Sequence, residues 1–322
     1  MRMARIKVAG ESAVYHCISR VVGGQMLLED LGKEKLAELL GRLAEFCGVE
    51  VITYCMMSNH FHLLLRVPVR VELSDAELLA KMVKFYGKKG MLTVLAQEGL
   101  KLRGKLDPDL RASVVRRMGD VSAFMQEFKQ RFSRWYNKVT GRFGTLWAER
   151  FTSLVVEDSA KALRTVAAYI DLNPVRAGLV KDPQDYRFCG YAAALTGAKA
   201  IRQGLMSFLK PADWVKAAAE YRMLLFVTGG SANRSDKAVL DPQAIKAELA
   251  RGGELSLGQV LRLRVRHLTD GVFLGSKEFV NEMFARHRDR FGSRRKDGAR
   301  PIRGVALPDI RVMRDLRVNT IG

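Results

Sequence analysis

Two of the five histidines stand two apart in His60-Phe61-His62, inside an apolar run that reads as a β-strand. Strand side chains alternate between faces, so His60 and His62 project to one side and Phe61 to the other. Two imidazoles on one rigid face make half of a metal site, although the same spacing also arises by chance on half-exposed strands. Farther along, Tyr169 and Asn173 lie four apart on a helical pattern and share one face over one turn. A tyrosine beside a metal-ligating amide oxygen suits attack on phosphorus: the cation polarises a phosphodiester oxygen while the phenol forms a covalent phosphotyrosine. That linkage conserves the phosphodiester bond, so strands can be cut and rejoined without ATP. On the residues alone, Tyr169 could equally pack on a sheet and Asn173 could simply end a helix before Pro174.

The elements that must position these groups are legible in outline. Ser12–Arg20 has the β-branched and aromatic content of a strand. Leu36, Leu39, Leu40 and Leu43 then repeat at helical spacing, with Gly48 where a C-terminal cap falls. Two further strands, Val49–Met56 and His60–Val67, are joined by a short turn around Ser58-Asn59. Ser74–Tyr86 and Asp120–Lys138 read as helices, the second with Phe124, Phe128, Phe132 and Trp135 on one face. Phe151–Val156 is a short strand, and Ser159 caps a helix that must end near Asn173, because Pro174 disfavours helix before it. This order predicts an α+β fold: a ferredoxin-like antiparallel sheet with packed helices.

Composition narrows the partner. Lys and Arg number 54 against 34 Asp and Glu, a net charge of +20, which points to a polyanion. Cys17, Cys47, Cys55 and Cys189 form no C-x-x-C pair, which argues against a disulfide scaffold or thiolate zinc module and for reduced thiols in the cytoplasm. No apolar stretch follows the basic start of the chain and no run is long enough to span a bilayer, so neither a secretory signal nor a membrane partner is expected. Phosphate-loop and dinucleotide glycine motifs are absent from the sequence.

Between Lys101 and Arg150 there are twelve Lys or Arg against five Asp or Glu. Arg116, Arg117, Lys129, Arg131, Arg134, Lys138 and Arg142 fall on or near the aromatic-faced helix, and a charged face nearly all of one sign favours phosphate contact over solvation. Tyr136, among basic residues and beside Trp135, suits stacking on bases better than attack on phosphorus.

Four runs in the same order resemble the single-tyrosine HUH transposases, most nearly the REP-associated tyrosine transposase type. They are Tyr15-His16-Cys17-Ile18-Ser19-Arg20, Met57-Ser58-Asn59-His60-Phe61-His62-Leu63-Leu64-Leu65, Gly144-Thr145-Leu146-Trp147-Ala148-Glu149-Arg150-Phe151, and Tyr169-Ile170-Asp171-Leu172-Asn173-Pro174-Val175-Arg176-Ala177-Gly178. The resemblance spans roughly residues 10 to 195. It implies that His60 and His62 bind a divalent metal, Mg or Mn, that Tyr169 is the nucleophile, and that Asn173 completes the metal site where the wider group often has glutamine. It also implies a strand transferase acting on single-stranded DNA with hairpin structure; the change in the chain's character from about Gly197 onward sets the bounds of this nuclease domain at residues 1–198. His16 matches a family position but reads equally as a packed strand residue. Whether the site is built within one chain or across a homodimer stays open.

Two other readings remain at this point. One is a host-retained DNA-binding protein that keeps the fold without catalysis; binding alone, however, requires none of Tyr169, His60 and His62. The other is a rolling-circle initiator or relaxase, which usually carries a second tyrosine or lysine near the nucleophile, where this chain has Thr165 and Asn173.

Residues 199–322 lie outside the resemblance and read as a mainly helical, basic region with a linker around 228–237. Leu255–Leu268 and a helix capped by Ser276, broken by Thr269-Asp270-Gly271, fit a helix-turn-helix or a plain helical hairpin. The tail from Arg294 to Arg317 holds eight Arg or Lys and reads as an arm on nucleic acid. A chain ending near residue 198 is therefore expected to keep the sheet and still cleave DNA.

Overall fold

A computed structural model describes residues 5–209, 211, 213–229, 266–269, 271–302 and 309–314. The first strand, β1 (Ala13–Arg20), leads into α1 (Asp30–Cys47), and the hairpin β2 (Glu50–Met56) and β3 (His60–Val67) follows. Then come α2 (Asp75–Tyr86), α3 (Met91–Arg103), α4 (Pro108–Val115), α5 (Val121–Thr140), β4 (Thr152–Val156), α6 (Ala160–Asp171) and α7 (Asn173–Arg176). The remainder comprises α8 (Gly190–Leu195), α9 (Lys199–Leu209), α10 (Trp214–Gly229), α11 (Arg266–Thr269), β5 (Gly271–Gly275), α12 (Lys277–Arg286), β6 (Arg300–Pro301) and β7 (Arg311–Arg314).

Local chemistry sets the boundaries. Helix α1 buries Leu36, Leu39, Leu40 and Leu43 and stops at Gly48, whose φ of 70° is left-handed and open to glycine at no steric cost. At α2, Ser74 and Glu77 form a capping box. The Asp120 carboxylate caps α5 by accepting from the Ser122 and Ala123 N–H groups. Ser159 caps α6, which ends at Asp171 as Pro174 requires, and the chain continues into the short α7.

The sheet runs β2-β3-β1-β4-β5-β7-β6. Its first four strands are mutually antiparallel and have the ferredoxin-like order expected from the sequence. Register fixes which residues share a face: His16 is opposite Leu64, Ile18 opposite His62 and Arg20 opposite His60. Helix α6 packs on that face, against β2 and β3. On the opposite face Phe61 meets Phe128 of α5 and Trp147, at ring separations of 5.4 and 5.3 Å.

The later segments are part of this core rather than an appendage. Helix α9 lies so close to β2 that a Cβ on Gly204 would stand 2.6 Å from the Val51 carbonyl oxygen, so only glycine fits. Strand β5 pairs parallel with β4, Val155 opposite Phe273, and β7 pairs antiparallel with β5. Thus the sheet continues past the region that resembles a transposase. Gly271, read from the sequence as part of a break between helices, starts a buried strand, and part of the basic tail, Arg311–Arg314, is strand β7. Glycines at both ends hid a five-residue apolar strand too short to show a period. The helix read over Leu255–Leu268 and the linker around 228–237 fall largely outside the described residues. Among the described residues no helix is long and apolar enough to cross a membrane.

Candidate active site

The two histidines of β3 meet a third, from β1, on the same face. His16 Nδ1 is 3.0 Å from the Leu268 carbonyl oxygen, and His16 Nε2 is 3.0 Å from His62 Nδ1. A carbonyl can only accept, so His16 carries its proton on Nδ1 and presents a bare Nε2. His62 must then donate from Nδ1, which leaves its Nε2 as the lone-pair nitrogen. The same reasoning holds for His60. Asn59 Nδ2 donates to the Gly24 carbonyl, so Asn59 Oδ1 faces His60 Nδ1 at 2.6 Å and fixes the proton there. Both imidazoles therefore offer Nε2, with ring centroids 5.0 Å apart.

Burial keeps these rings neutral. It lowers the pKa of His16 to about 4 and, with the charge of Arg20 adding to it, that of His60 to about 4. His62 is pushed well below the usual imidazole range by burial first and then by His60 and His16. Neutral imidazoles are the ligating form.

Tyr169 stands over this cluster from α6. Its ring is 5.6 Å from His62, edge to face, and 6.0 Å from His16. Burial raises the phenol pKa to about 12, while the charges of Arg176 and Arg20 and a hydrogen bond from Asn173 oppose that rise. The Arg176 guanidinium lies 5.2 Å from the centre of the Tyr169 ring, and its Nη1 is buried with no hydrogen-bond partner. Tyr169, Asn173 and Arg176 sit at i, i+4 and i+7, so α6 and α7 present all three together. Asn173 Nδ2 donates to the Tyr169 carbonyl at 2.9 Å and the Ile170 carbonyl at 3.3 Å, which turns Oδ1 away from the helix as a potential ligand.

Behind the tyrosine, α6 is anchored by a buried carboxyl. Asp171 accepts from Thr53 Oγ1, from the Tyr221 hydroxyl at 2.6 Å and from the Tyr191 N–H at 3.1 Å. Burial raises its pKa to about 6 despite these donors. The hydroxyl partners come from β2 and α10, so a helix beyond residue 198 helps hold α6 in place.

Among the described residues no group of three or more His, Cys, Asp or Glu is arranged to hold a metal ion. The donors on offer are two neighbouring imidazoles of fixed tautomer, His60 and His62, and the amide oxygen of Asn173, one turn beyond Tyr169; by type they fit a divalent ion completed by water and substrate oxygens.

The basic residues on and near α5 divide. Arg117 and Arg131 pair with Glu127 and stack on Tyr86, which makes them structural to the α2–α5 contact. Tyr136 donates to the Leu27 carbonyl at 2.7 Å and packs on Phe132. Arg116, Arg134 and Lys138 are exposed, Arg142 donates to the Thr145 carbonyl, and Lys129 is buried with Nζ on the Glu149 carbonyl. Arg176, Arg20 and Leu268 join the site in the structure without a role predicted from sequence. Arg176 was readable from its i+7 spacing to Tyr169; Leu268 had no signal at all.

Residues 10–84 match the family of IS200-like transposases, a span that includes His16, His60 and His62 and stops before Tyr169. Over that span the chain is similar to an IS200-like transposase. The match covers well under half of the chain, and the transposase-like segment coincides with β1 through most of α2. A solved structure of the REP-associated tyrosine transposase bound to a REP hairpin is 15% identical, with a TM-score of 0.40, and the similarity covers 62% of this chain and 87% of that one. No curated protein matches.

Proposed function

We propose that the protein is a single-tyrosine DNA strand transferase that cleaves and rejoins single-stranded, hairpin-containing DNA through a phosphotyrosine on Tyr169. The observation that carries this reading is the convergence of Tyr169 on the tautomer-fixed His60/His62 pair, with the orphaned Nη1 of Arg176 beside it. A buried guanidinium nitrogen without a partner is costly, and a phosphate oxygen satisfies it.

His60 Nε2, His62 Nε2 and Asn173 Oδ1 are the atoms that would hold a divalent cation such as Mg or Mn. When bound, the ion supplies Lewis-acid polarisation of a non-bridging phosphate oxygen. Arg176 binds the phosphate and favours the phenolate of Tyr169, whose burial otherwise opposes ionisation. The Tyr169 oxygen attacks phosphorus and the new P–O bond forms as the strand's bridging P–O bond breaks. The phenol proton is lost, and the departing strand end takes up a proton to leave as a hydroxyl. Rejoining is the reverse, with a strand-end hydroxyl as nucleophile and Tyr169 as leaving group.

The test is a labelled hairpin DNA with an unpaired flank, incubated with the full chain and Mn or Mg. A denaturation-resistant protein–DNA adduct is expected, absent in Tyr169→Phe and absent after chelation. An adduct that survives in Tyr169→Phe and disappears in Tyr136→Phe overturns the assignment of the nucleophile.

A further inference from the structure

The run Gly144–Phe151 takes no part in the chemistry above, yet it builds one wall of a cavity of ≈ 730 Å³ whose other wall is α5. That volume is within the usual range for a bound small molecule or a single residue of a polymer. The α5 wall is one helical stripe, Gln126, Lys129, Gln130, Ser133 and Arg134, at i, i+3, i+4, i+7 and i+8. Its floor is apolar, made by Met125, Leu146 and Trp147.

Charge and shape select the ligand. Arg5, Lys129, Arg134 and Arg150 line the cavity against the single carboxylate of Glu149. The Arg5 guanidinium sits over Phe151, 3.6 Å from the ring centre, and its Nε donates to the Phe151 carbonyl, so it is a stacking group already held in position. Gln126 and Gln130 are exposed amides one turn apart, each able to donate to and accept from a base edge. At the rim, beside Gly144, Phe143 is 92% exposed in a segment where Gly141 and Gly144 adopt left-handed φ values of 65° and 85°. An aromatic ring set out in water between two such glycines is a stacking platform that the described residues leave uncovered.

We propose that this cavity binds an unpaired nucleotide of a DNA strand, its base between the apolar floor and the glutamine pair and its phosphate on Lys129 and Arg134, with the next base on Phe143. The proposal deepens the strand-transferase reading, because it names where the substrate strand is gripped. The cavity backs onto the strand that carries the histidines: Trp147 touches Phe61, whose neighbours His60 and His62 face Tyr169. The route between the two runs past Arg20, whose carbonyl accepts the Ala148 N–H at 3.0 Å and whose charge reaches His60 and Tyr169. A strand held in the cavity is thus led around the end of β1 to the reacting tyrosine.

Phe143, Gln126, Gln130 and Arg134 are exposed, so their replacement leaves the core intact. Binding of a short, non-self-complementary labelled DNA strand to the full chain is read in chelator, where no cleavage competes. Phe143→Ala is expected to weaken binding about tenfold with an unchanged salt slope, since stacking is not electrostatic. Arg134→Ala is expected to weaken it and to lower the slope of log affinity against log salt by ~0.7. Gln126→Ala/Gln130→Ala should reduce the difference in affinity among homopolymeric strands. Wild-type affinity and slope in both Phe143→Ala and Arg134→Ala overturn the proposal. So does an RNA strand that binds as tightly and responds equally to the variants, or a free deoxynucleoside monophosphate that binds as tightly as the strand. If no covalent adduct forms with the wild type while these binding effects appear, the strand-transfer reading fails and the cavity assignment stands.

Discussion

His16 Nε2 accepts from His62 Nδ1 across 3.0 Å, and His16 in turn is held by the Leu268 carbonyl. The nitrogen that His62 can offer a metal is therefore decided two residues away, by a carbonyl from the far end of the chain. Sequence alone treats His16 as either a packed strand residue or a site residue; its hydrogen bonds make it a positioning residue for His62.

His16→Ala removes the acceptor that holds the His62 tautomer, and the affinity for Mn measured by calorimetry is expected to fall by roughly 10–100-fold. His16→Gln, whose side-chain oxygen can still accept from His62, should recover part of that loss. Equal Mn affinity in wild type and His16→Ala would show that His62 keeps its tautomer without help.

The Arg176 guanidinium lies 5.2 Å from the centre of the Tyr169 ring. If that charge is worth about one pKa unit on the phenol, Arg176→Gln slows adduct formation about tenfold, in single-turnover measurements at saturating DNA. Arg176→Lys should lie between the two. Unchanged single-turnover rates with weakened DNA binding would assign Arg176 to substrate binding alone.

Lys129 sets stability against binding. Burial lowers its pKa from 10.5 to about 8, so the folded state prefers the neutral amine. For a base lowered in this way the stabilising contribution is complete above pH 10.5 and is lost as pH falls to 8. Lys129→Met is expected to raise thermal stability at pH 7, by on the order of 2 kcal/mol, and to flatten its pH dependence between 8 and 10.5. The same variant should weaken single-strand binding. A variant less stable than wild type at pH 7 would show that the Glu149 carbonyl and the Trp147 ring more than offset the burial of the charge.

The legible parts of the molecule are those where one local rule suffices. Alternation along His60-Phe61-His62 puts two imidazoles on one face and Phe61 on the other, and the structure has both. Asn173 before Pro174 marks the end of the helix that carries Tyr169, and α6 stops two residues earlier, at Asp171. The parts that did not show depend on long-range pairing. β5 is five residues that begin and end in glycine, and it is a strand because β4 offers it an unpaired edge. Arg117 and Arg131 look like phosphate contacts in the sequence, but Glu127 and the Tyr86 ring claim them once α5 docks. Leu268 matters through its backbone oxygen, to which no side-chain pattern can point.

That dependence on distant segments bears on where the chain can be cut. A protein ending near residue 198 keeps His60, His62 and Tyr169 but loses four supports at once. Tyr221 no longer reaches Asp171, so the buried carboxyl at the end of α6 loses its donor from α10 and keeps those of Thr53, Gly190 and Tyr191. Helix α9 no longer covers β2, and Leu268 no longer fixes His16. With β5 gone, β4 becomes an exposed edge whose Leu154, Val155 and Val156 are buried in the full chain, a template for aggregation. The expectation drawn from sequence, that the shortened chain still cleaves, gives way to the opposite one. It should be recovered largely as aggregate, and any soluble fraction should show a lower unfolding midpoint and weaker Mn binding than the full chain. In the full-length protein, Tyr221→Phe isolates one of these supports: removing a hydrogen bond to a buried carboxyl is expected to cost about 1.5–3 kcal/mol in chemical denaturation. A soluble 1–198 fragment with full-chain Mn affinity would show that residues 271–314 complete the sheet without supporting the site.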